Sequence, residues 1–282
     1  MHRFLQSFVI VIAAVLFAVL PVRAEDLWKT LPALIPLPAP TESGEAPVNG
    51  IKIYYAIWGD GSPLILLHAG LGNTEYFGGQ VPEFAKQFRV IAMDSRGHGR
   101  SSRNAEPYSY ALMAKDVIAL MDYLKIDKAS IVGWSDGGII GLDIAMNYPD
   151  RLDRLFAFGA NTNVAGLKPN IDKDPTFAKY FENAGKDYER LSKTPKEFGD
   201  FVTQISQMWA TQPDYKPEQL AKITAPVAIA DGEHDEAIRQ EHDVEMSKAI
   251  PGAKLVILPG VSHFAMLQDP ALFNQAVLEF LK

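Results

Sequence analysis

Six short runs of apolar residues recur along the chain, and their lack of polar alternation constrains the fold more than any other feature. Leu64–Leu67, Arg89–Met93, Ser130–Val132, Leu155–Phe158, Pro226–Ala230 and Lys254–Leu258 are each three to five residues long and almost wholly apolar. A strand with one wet face alternates in polarity, whereas a strand covered on both faces does not. Between these runs lie segments of helical spacing. In Tyr108–Leu124, residues Leu112, Val117, Leu120, Met121 and Leu124 can share a face, Gly137–Tyr148 stops before Pro149, and Ala271–Leu281 closes the chain. Short buried strands alternating with helices predict an α/β domain whose central, mostly parallel sheet has helices on both faces.

The rhythm is interrupted once. From Asn161 to about Lys222 the residues are polar and helical in character, with Phe, Tyr and Trp interspersed. About sixty residues are too many for an ordinary connection, so the spacing predicts a helical cap over 161–222. Upstream, Ile51–Trp58 is β-branched and aromatic and leads into a turn at Gly59-Asp60-Gly61. The domain is therefore expected to span 49–282. The preceding segment, 25–48, carries prolines at 32, 36, 38, 40 and 47 and reads as an extended arm.

The first 24 residues have the layout of a secretory leader. His2 and Arg3 precede thirteen uncharged residues, Phe8–Leu20, and Val22-Arg23-Ala24 offers small residues at the cleavage positions before Glu25. A retained anchor would need about 20 apolar residues. The expectation is an exported protein, periplasmic or secreted, with no stable membrane span after processing.

Charge and cysteine content remove several function classes. The net charge is −7 and no dense Lys/Arg block occurs, so nothing points to a nucleic-acid partner. With no cysteine among 282 residues, a thiolate nucleophile, a disulfide framework, a Cys-ligated zinc and an iron–sulfur cluster are excluded.

The chemistry concentrates in Gly133-Trp134-Ser135-Asp136-Gly137, between an apolar strand and a helix. A nucleophilic serine on that sharp turn projects from the backbone, and the following helix aims its N–H groups at developing negative charge. A serine hydroxyl needs a base to take its proton. His263 follows the last strand by a short loop and is the candidate. Three acids, Asp231, Glu233 and Asp235, compete to orient it, and the spacing of the loop favours Asp235. The loop His68-Ala69-Gly70-Leu71-Gly72 is placed to give one oxyanion N–H, from Gly70 or Leu71, with the second from Asp136. His68 and His98 read as loop-packing residues and His234 and His242 as surface residues. Metal binding by His234 with Asp235 has no supporting ligand spacing, so no metal is expected.

These motifs, in this order, resemble the α/β-hydrolase superfamily from about Asn49 to Lys282. Gly133–Gly138 and Gly159-Ala160-Asn161 are similar to the valacyclovir hydrolase branch of cap-bearing serine esterases. That resemblance implies a catalytic triad of Ser135, Asp235 and His263, no cofactor, and recognition of a substrate α-amino group by Asp136. Trp134, beside the nucleophile, is a second candidate substrate-binding residue. The oxyanion loop departs from the common His-Gly pattern, and the cap from Leu167 onward matches no motif.

The expected activity is hydrolysis of a small carboxylic ester through an acyl-serine. The same triad also serves α-amino-acid ester hydrolases, lactonases, amidases and C–C bond hydrolases. A non-catalytic binding module on this fold would be expected to have lost a triad member, and all three positions are filled.

Overall fold

The computed structural model describes residues 24–282. The expected leader, 1–24, lies outside the described residues except for its last position. One sheet of eight strands organises the domain: β1 (Glu42–Val48), β2 (Ile51–Trp58), β3 (Ser62–Leu67), β4 (Phe88–Met93), β5 (Ala129–Trp134), β6 (Leu152–Phe158), β7 (Val227–Gly232) and β8 (Lys254–Leu258). Their order is β1-β2-β4-β3-β5-β6-β7-β8, with β2 antiparallel to both of its neighbours and every pairing from β4 to β8 parallel. The helices are α1 (Val81–Phe84), α2 (Tyr110–Tyr123), α3 (Asp136–Asn147), α4 (Pro175–Leu191), α5 (Phe198–Trp209), α6 (Pro217–Leu220), α7 (Gln240–Ala249), α8 (Ala265–Gln268) and α9 (Pro270–Leu281). Among the described residues no helix is long and apolar enough to cross a membrane.

The period-2 geometry of a strand explains the unbroken apolar runs. In β5, Ile131 enters the core shared with α2 and α3, while Val132 and Trp134 enter the core shared with α1 and α9. In β6, Leu155 and Ala157 take the first core and Phe156 and Phe158 the second. Both faces of the central strands are dry, so no position selects for a polar residue.

The domain starts earlier than the sequence suggested. Glu42–Val48, the end of the expected arm, is not merely extended but pairs along its whole length with β2 as the edge strand β1. Pro47 is tolerated because an edge strand leaves one row of backbone groups unpaired. The rest of the arm lies along the α9 side of the domain, where Leu31, Leu34 and Leu37 pack on the core and the Trp58 indole donates to the Pro38 carbonyl at 3.0 Å.

Between β6 and β7 the chain contains α4, α5 and α6 but no strand. Helix α4 starts at a Pro175 capped by Asp174, whose side chain accepts from the Thr176 and Phe177 amides. Its buried residues Thr176, Tyr180, Ala184 and Tyr188 recur every four positions and form one stripe. Helix α5 buries Phe201, Ile205 and Met208 in the same way. Arg190 and Glu75 at 2.6 Å, Arg103 and Glu197 at 2.6 Å, and Tyr215 and Asp143 at 3.1 Å pin this insertion to the sheet domain.

Candidate active site

Ser135 stands between β5 and α3 with φ 55° and ψ −118°, in the left-handed region that costs a side-chain-bearing residue on the order of 1–3 kcal/mol. Surrounding structure holds it there. Its amide donates to the Phe158 carbonyl at 2.8 Å, and a Cβ at Gly137 would come within 2.1 Å of the Leu67 carbonyl oxygen, so only glycine fits at that end of the turn. Among the described residues the Ser135 hydroxyl makes no hydrogen bond. Contacts between a nucleophile and its base are commonly loose until substrate is bound.

The base and its acid are already joined. His263 Nδ1 lies 2.5 Å from Asp235 Oδ2, with side-chain exposures of 2% and 0%. The other oxygen of Asp235 accepts the Ala237 amide at 2.5 Å and the Ile238 amide at 2.7 Å. Burial alone would raise the Asp235 pKa, but the imidazole and the hydrogen bonds outweigh it and hold the carboxyl at about 2. For His263, burial acts downward, yet the charge and hydrogen bond of Asp235 leave the net shift upward. The ring is seated against Phe177, with centroids 5.3 Å apart. A Cβ on Gly159 would stand 2.7 Å from the ring, which makes the glycine at the end of β6 a requirement of the site.

The two rival acids have other places. Glu233 is exposed and accepts the Gly260 amide at 2.9 Å. Asp231 is buried behind Asp235, where desolvation and then the Asp235 and Asp243 charges push its pKa well up. Among the described residues Asp231, Asp235 and His263 are the one group close enough to hold a metal ion. Their donor chemistry suits protons instead, because the short Asp235–His263 hydrogen bond occupies one atom of each residue.

The oxyanion loop is shaped by its own hydrogen bonds. His68 Nε2 accepts the Ser95 amide at 3.0 Å, which places the proton on Nδ1 for donation to the Ala69 carbonyl at 2.7 Å. The Gly72 amide closes a turn onto the same carbonyl at 3.0 Å, with Leu71 at φ 64°. Tyr180, reaching from the insertion, donates to the Gly70 carbonyl at 2.8 Å. Among the described residues neither the Gly70 nor the Leu71 amide has an acceptor, and the Asp136 amide opens α3, where no helical turn can engage it. Three N–H groups thus remain for an oxyanion. Replacing Tyr180 by phenylalanine is expected to lower kcat about fivefold, the equivalent of about 1 kcal/mol for one neutral hydrogen bond, with KM unchanged in steady-state assays. A wild-type kcat would take Tyr180 out of the loop's support.

The Asp136 side chain turns into the cavity wall. Its oxygens accept from the Tyr110 hydroxyl at 2.8 Å and the Trp209 indole at 2.9 Å, and burial pushes its pKa up to about 6 against those hydrogen bonds.

One sequence expectation, His242 on the surface, needs correction, and the Trp134 candidate is narrowed. Trp134 borders the cavity, but its ring is fully buried among Tyr76, Tyr180 and Phe264, and its N–H is committed to the His263 carbonyl at 2.8 Å. It has no donor left for substrate. His242 is not a surface residue: it is buried under Gly166, and its Nε2 accepts the Thr162 amide at 3.0 Å. A histidine near the start of a helix looks like a surface residue, and only the fold of the distant 159–166 segment covers it. His68 and His98 are buried with their rings 5.1 Å apart, and His234 stacks on Trp28 of the arm. Glu236, not singled out from the sequence, accepts the His263 amide at 3.1 Å.

Ser135 and His263 open onto a cavity of about 620 Å³. Gly70, Leu71 and Asp136 border it on the sheet side, and Leu167, Ile171, Phe177, Phe181 and Trp209 roof it from the insertion.

A strained serine after a buried strand, a base after the last strand and an acid after the one before it define a hydrolytic enzyme. The α/β-hydrolase fold family model matches residues 62–197, and the chain belongs to this family. It is 30% identical to serine hydrolase BPHL of Homo sapiens, over 85% of this chain and 86% of that one. With the putative carbamate hydrolase RutD of Caulobacter sp. strain K31 it shares 29% identity, covering 77% and 90% of the two chains. The solved structure of Est816, an N-acyl homoserine lactone degrading enzyme, superposes with a TM-score of 0.67 at 27% identity, over 84% of this chain and all of that one.

Proposed function

We propose that this hydrolase is a serine esterase that cleaves small carboxylic esters through an acyl-serine intermediate. The observation that carries the reading is the Asp235–His263 pair, whose histidine shares a mostly apolar cavity with Ser135. His263 takes the proton from Ser135 as the hydroxyl attacks the ester carbonyl. The alkoxide of the tetrahedral intermediate is met by N–H groups of Asp136 and of Gly70 or Leu71, each worth on the order of 3 kcal/mol of barrier in such sites. The alcohol departs with the proton from His263, which then activates water to release the acid. A cavity of about 620 Å³ suits a small substrate. We also propose that the protein is exported, on the strength of the uncharged run Phe8–Leu20 and the small residues before Glu25.

A second reading, an α-amino-acid ester as substrate, is favoured by Asp136. This carboxylate borders the cavity beside the nucleophile, and its three hydrogen bonds leave acceptor capacity for an ammonium group. Lactone and carbamate hydrolysis need the same three catalytic groups, and the relatives' activities make both worth assaying. The test is a panel of p-nitrophenyl, aminoacyl, lactone and carbamate substrates, run on wild type and Asp136→Asn. For amine recognition, kcat/KM for an aminoacyl ester should fall about 100-fold in the variant, while the N-acetylated ester is nearly unaffected. Equal effects on both esters would leave only the uncharged ester reading, and no turnover of any ester by wild type would overturn both.

A further inference from the structure

The parallel sheet places the general base on its least supported strand. β8 is an edge strand that pairs only with β7, its residues Leu255 and Ile257 are exposed, and Gly260 in the following loop has φ 69°. A loop hung from such an edge needs holding from elsewhere, because a misplacement of about 1 Å in a reacting group can cost about 100-fold in rate.

The loop is held amide by amide. Glu233 takes the Gly260 N–H and Gln268 the Ser262 N–H, at 2.9 and 2.8 Å. The base's own backbone is gripped at both polar atoms by side chains from two other segments, the end of β5 and the loop after β7. The Trp134 indole donates to the His263 carbonyl at 2.8 Å, and Glu236 Oε2 accepts the His263 N–H at 3.1 Å. Trp134 directly precedes the nucleophile and Glu236 directly follows the acid. Each partner of the triad therefore has a chain neighbour fastened to the third.

We propose that Trp134 and Glu236 are positioning residues for the general base, clamping the His263 main chain so that its imidazole stays between Asp235 and Ser135. The inference rests on reading the site as a serine hydrolase. The two halves of the clamp differ in kind. Trp134 is fully buried and neutral, so it contributes geometry alone. Glu236 also contributes charge: its carboxylate favours the imidazolium form of His263, in company with Asp235 and Asp136. Around it, Asp235 raises its pKa and His263 and a hydrogen bond from Ser262 lower it, and burial, the largest influence, brings it up to about 7. Lys168 lies on the far side, donating to the Asp235 carbonyl, and Asp231 and Asp243 lie behind Asp235.

The experiment compares Trp134→Phe, Glu236→Ala and Glu236→Gln with wild type in the full chain. It reads steady-state kinetics on p-nitrophenyl butyrate, the rate of fluorophosphonate labelling and the pH profile of kcat/KM. Phenylalanine keeps an aromatic ring and loses the donor, and kcat should fall about tenfold with KM unchanged and labelling slowed in step. Glu236→Ala should do the same. Glu236→Gln keeps an acceptor oxygen and should recover kcat to within about twofold, but loses the negative charge. Because the charged form of Glu236 raises the His263 pKa, its loss should move the acid limb to lower pH. Wild-type rates in Trp134→Phe and Glu236→Ala, or a Glu236→Gln as impaired as Glu236→Ala, would overturn the clamp. If Trp134→Phe does not fold, the Glu236 pair decides alone. Wild-type protein that neither turns over the ester nor reacts with the probe removes the hydrolase reading itself, an outcome distinct from failure of the clamp.

Discussion

Replacing Ser135 with alanine is expected to lower kcat on a p-nitrophenyl ester by about a million-fold and to abolish fluorophosphonate labelling. The size of the effect follows from the mechanism: without the hydroxyl no acyl-enzyme forms, and His263, Asp235 and the oxyanion donors are left with only water to activate. The fold should hardly notice. Alanine keeps the Cβ and the positive φ of 55°, and the Ser135 side chain makes no hydrogen bond among the described residues, so stability should stay within about 0.5 kcal/mol of wild type. Thermal unfolding followed by circular dichroism checks this. Ester turnover by the variant at the wild-type rate would remove Ser135 from the reaction.

Asp235→Asn is expected to cost about 10⁴-fold in kcat, and the hydrogen bonds around it say why. One oxygen of Asp235 accepts the Ala237 and Ile238 amides, an arrangement that an asparagine carbonyl can keep. The new NH₂ group is then forced to face His263 Nδ1, where the carboxylate accepted a hydrogen bond. A donor opposite Nδ1 drives the ring proton to Nε2, the atom that has to receive the proton of Ser135, so the base is presented in the wrong tautomer. The lost negative charge also removes the main support for the upward shift of the His263 pKa, and the acid limb of the remaining activity should move to lower pH. A variant with near wild-type kcat and an unmoved profile would show that another group orients the base.

Much of this was legible in the residues because it depends on neighbours in sequence. The elbow needs small residues two positions either side of Ser135, and Gly133 and Gly137 are in the same five-residue stretch. The unbroken apolar runs follow from strands buried on both faces, a property of each strand by itself. Other features were hidden because they are made by residues far apart in the chain. Edge strand β1 lacks the apolar run of an interior strand and reads as part of the proline arm, since only its pairing partner β2 makes it a strand. His242 sits near the start of an ordinary-looking helix and is buried by a segment about 80 residues away.

The chain by itself determined the sheet-and-helix rhythm, the strained nucleophile and the type of chemistry, since each is written in spacings of a few residues that local backbone sterics enforce. Tertiary structure alone decided where the two rival acids go, burying Asp231 behind Asp235, where its pKa is pushed well up, and leaving Glu233 exposed on the Gly260 amide. It also committed the Trp134 N–H to the His263 carbonyl and brought Tyr180 down onto the Gly70 carbonyl. The reason is physical. Desolvation and hydrogen-bond partnership depend on everything within a few ångströms, and in a folded chain most of that comes from distant sequence.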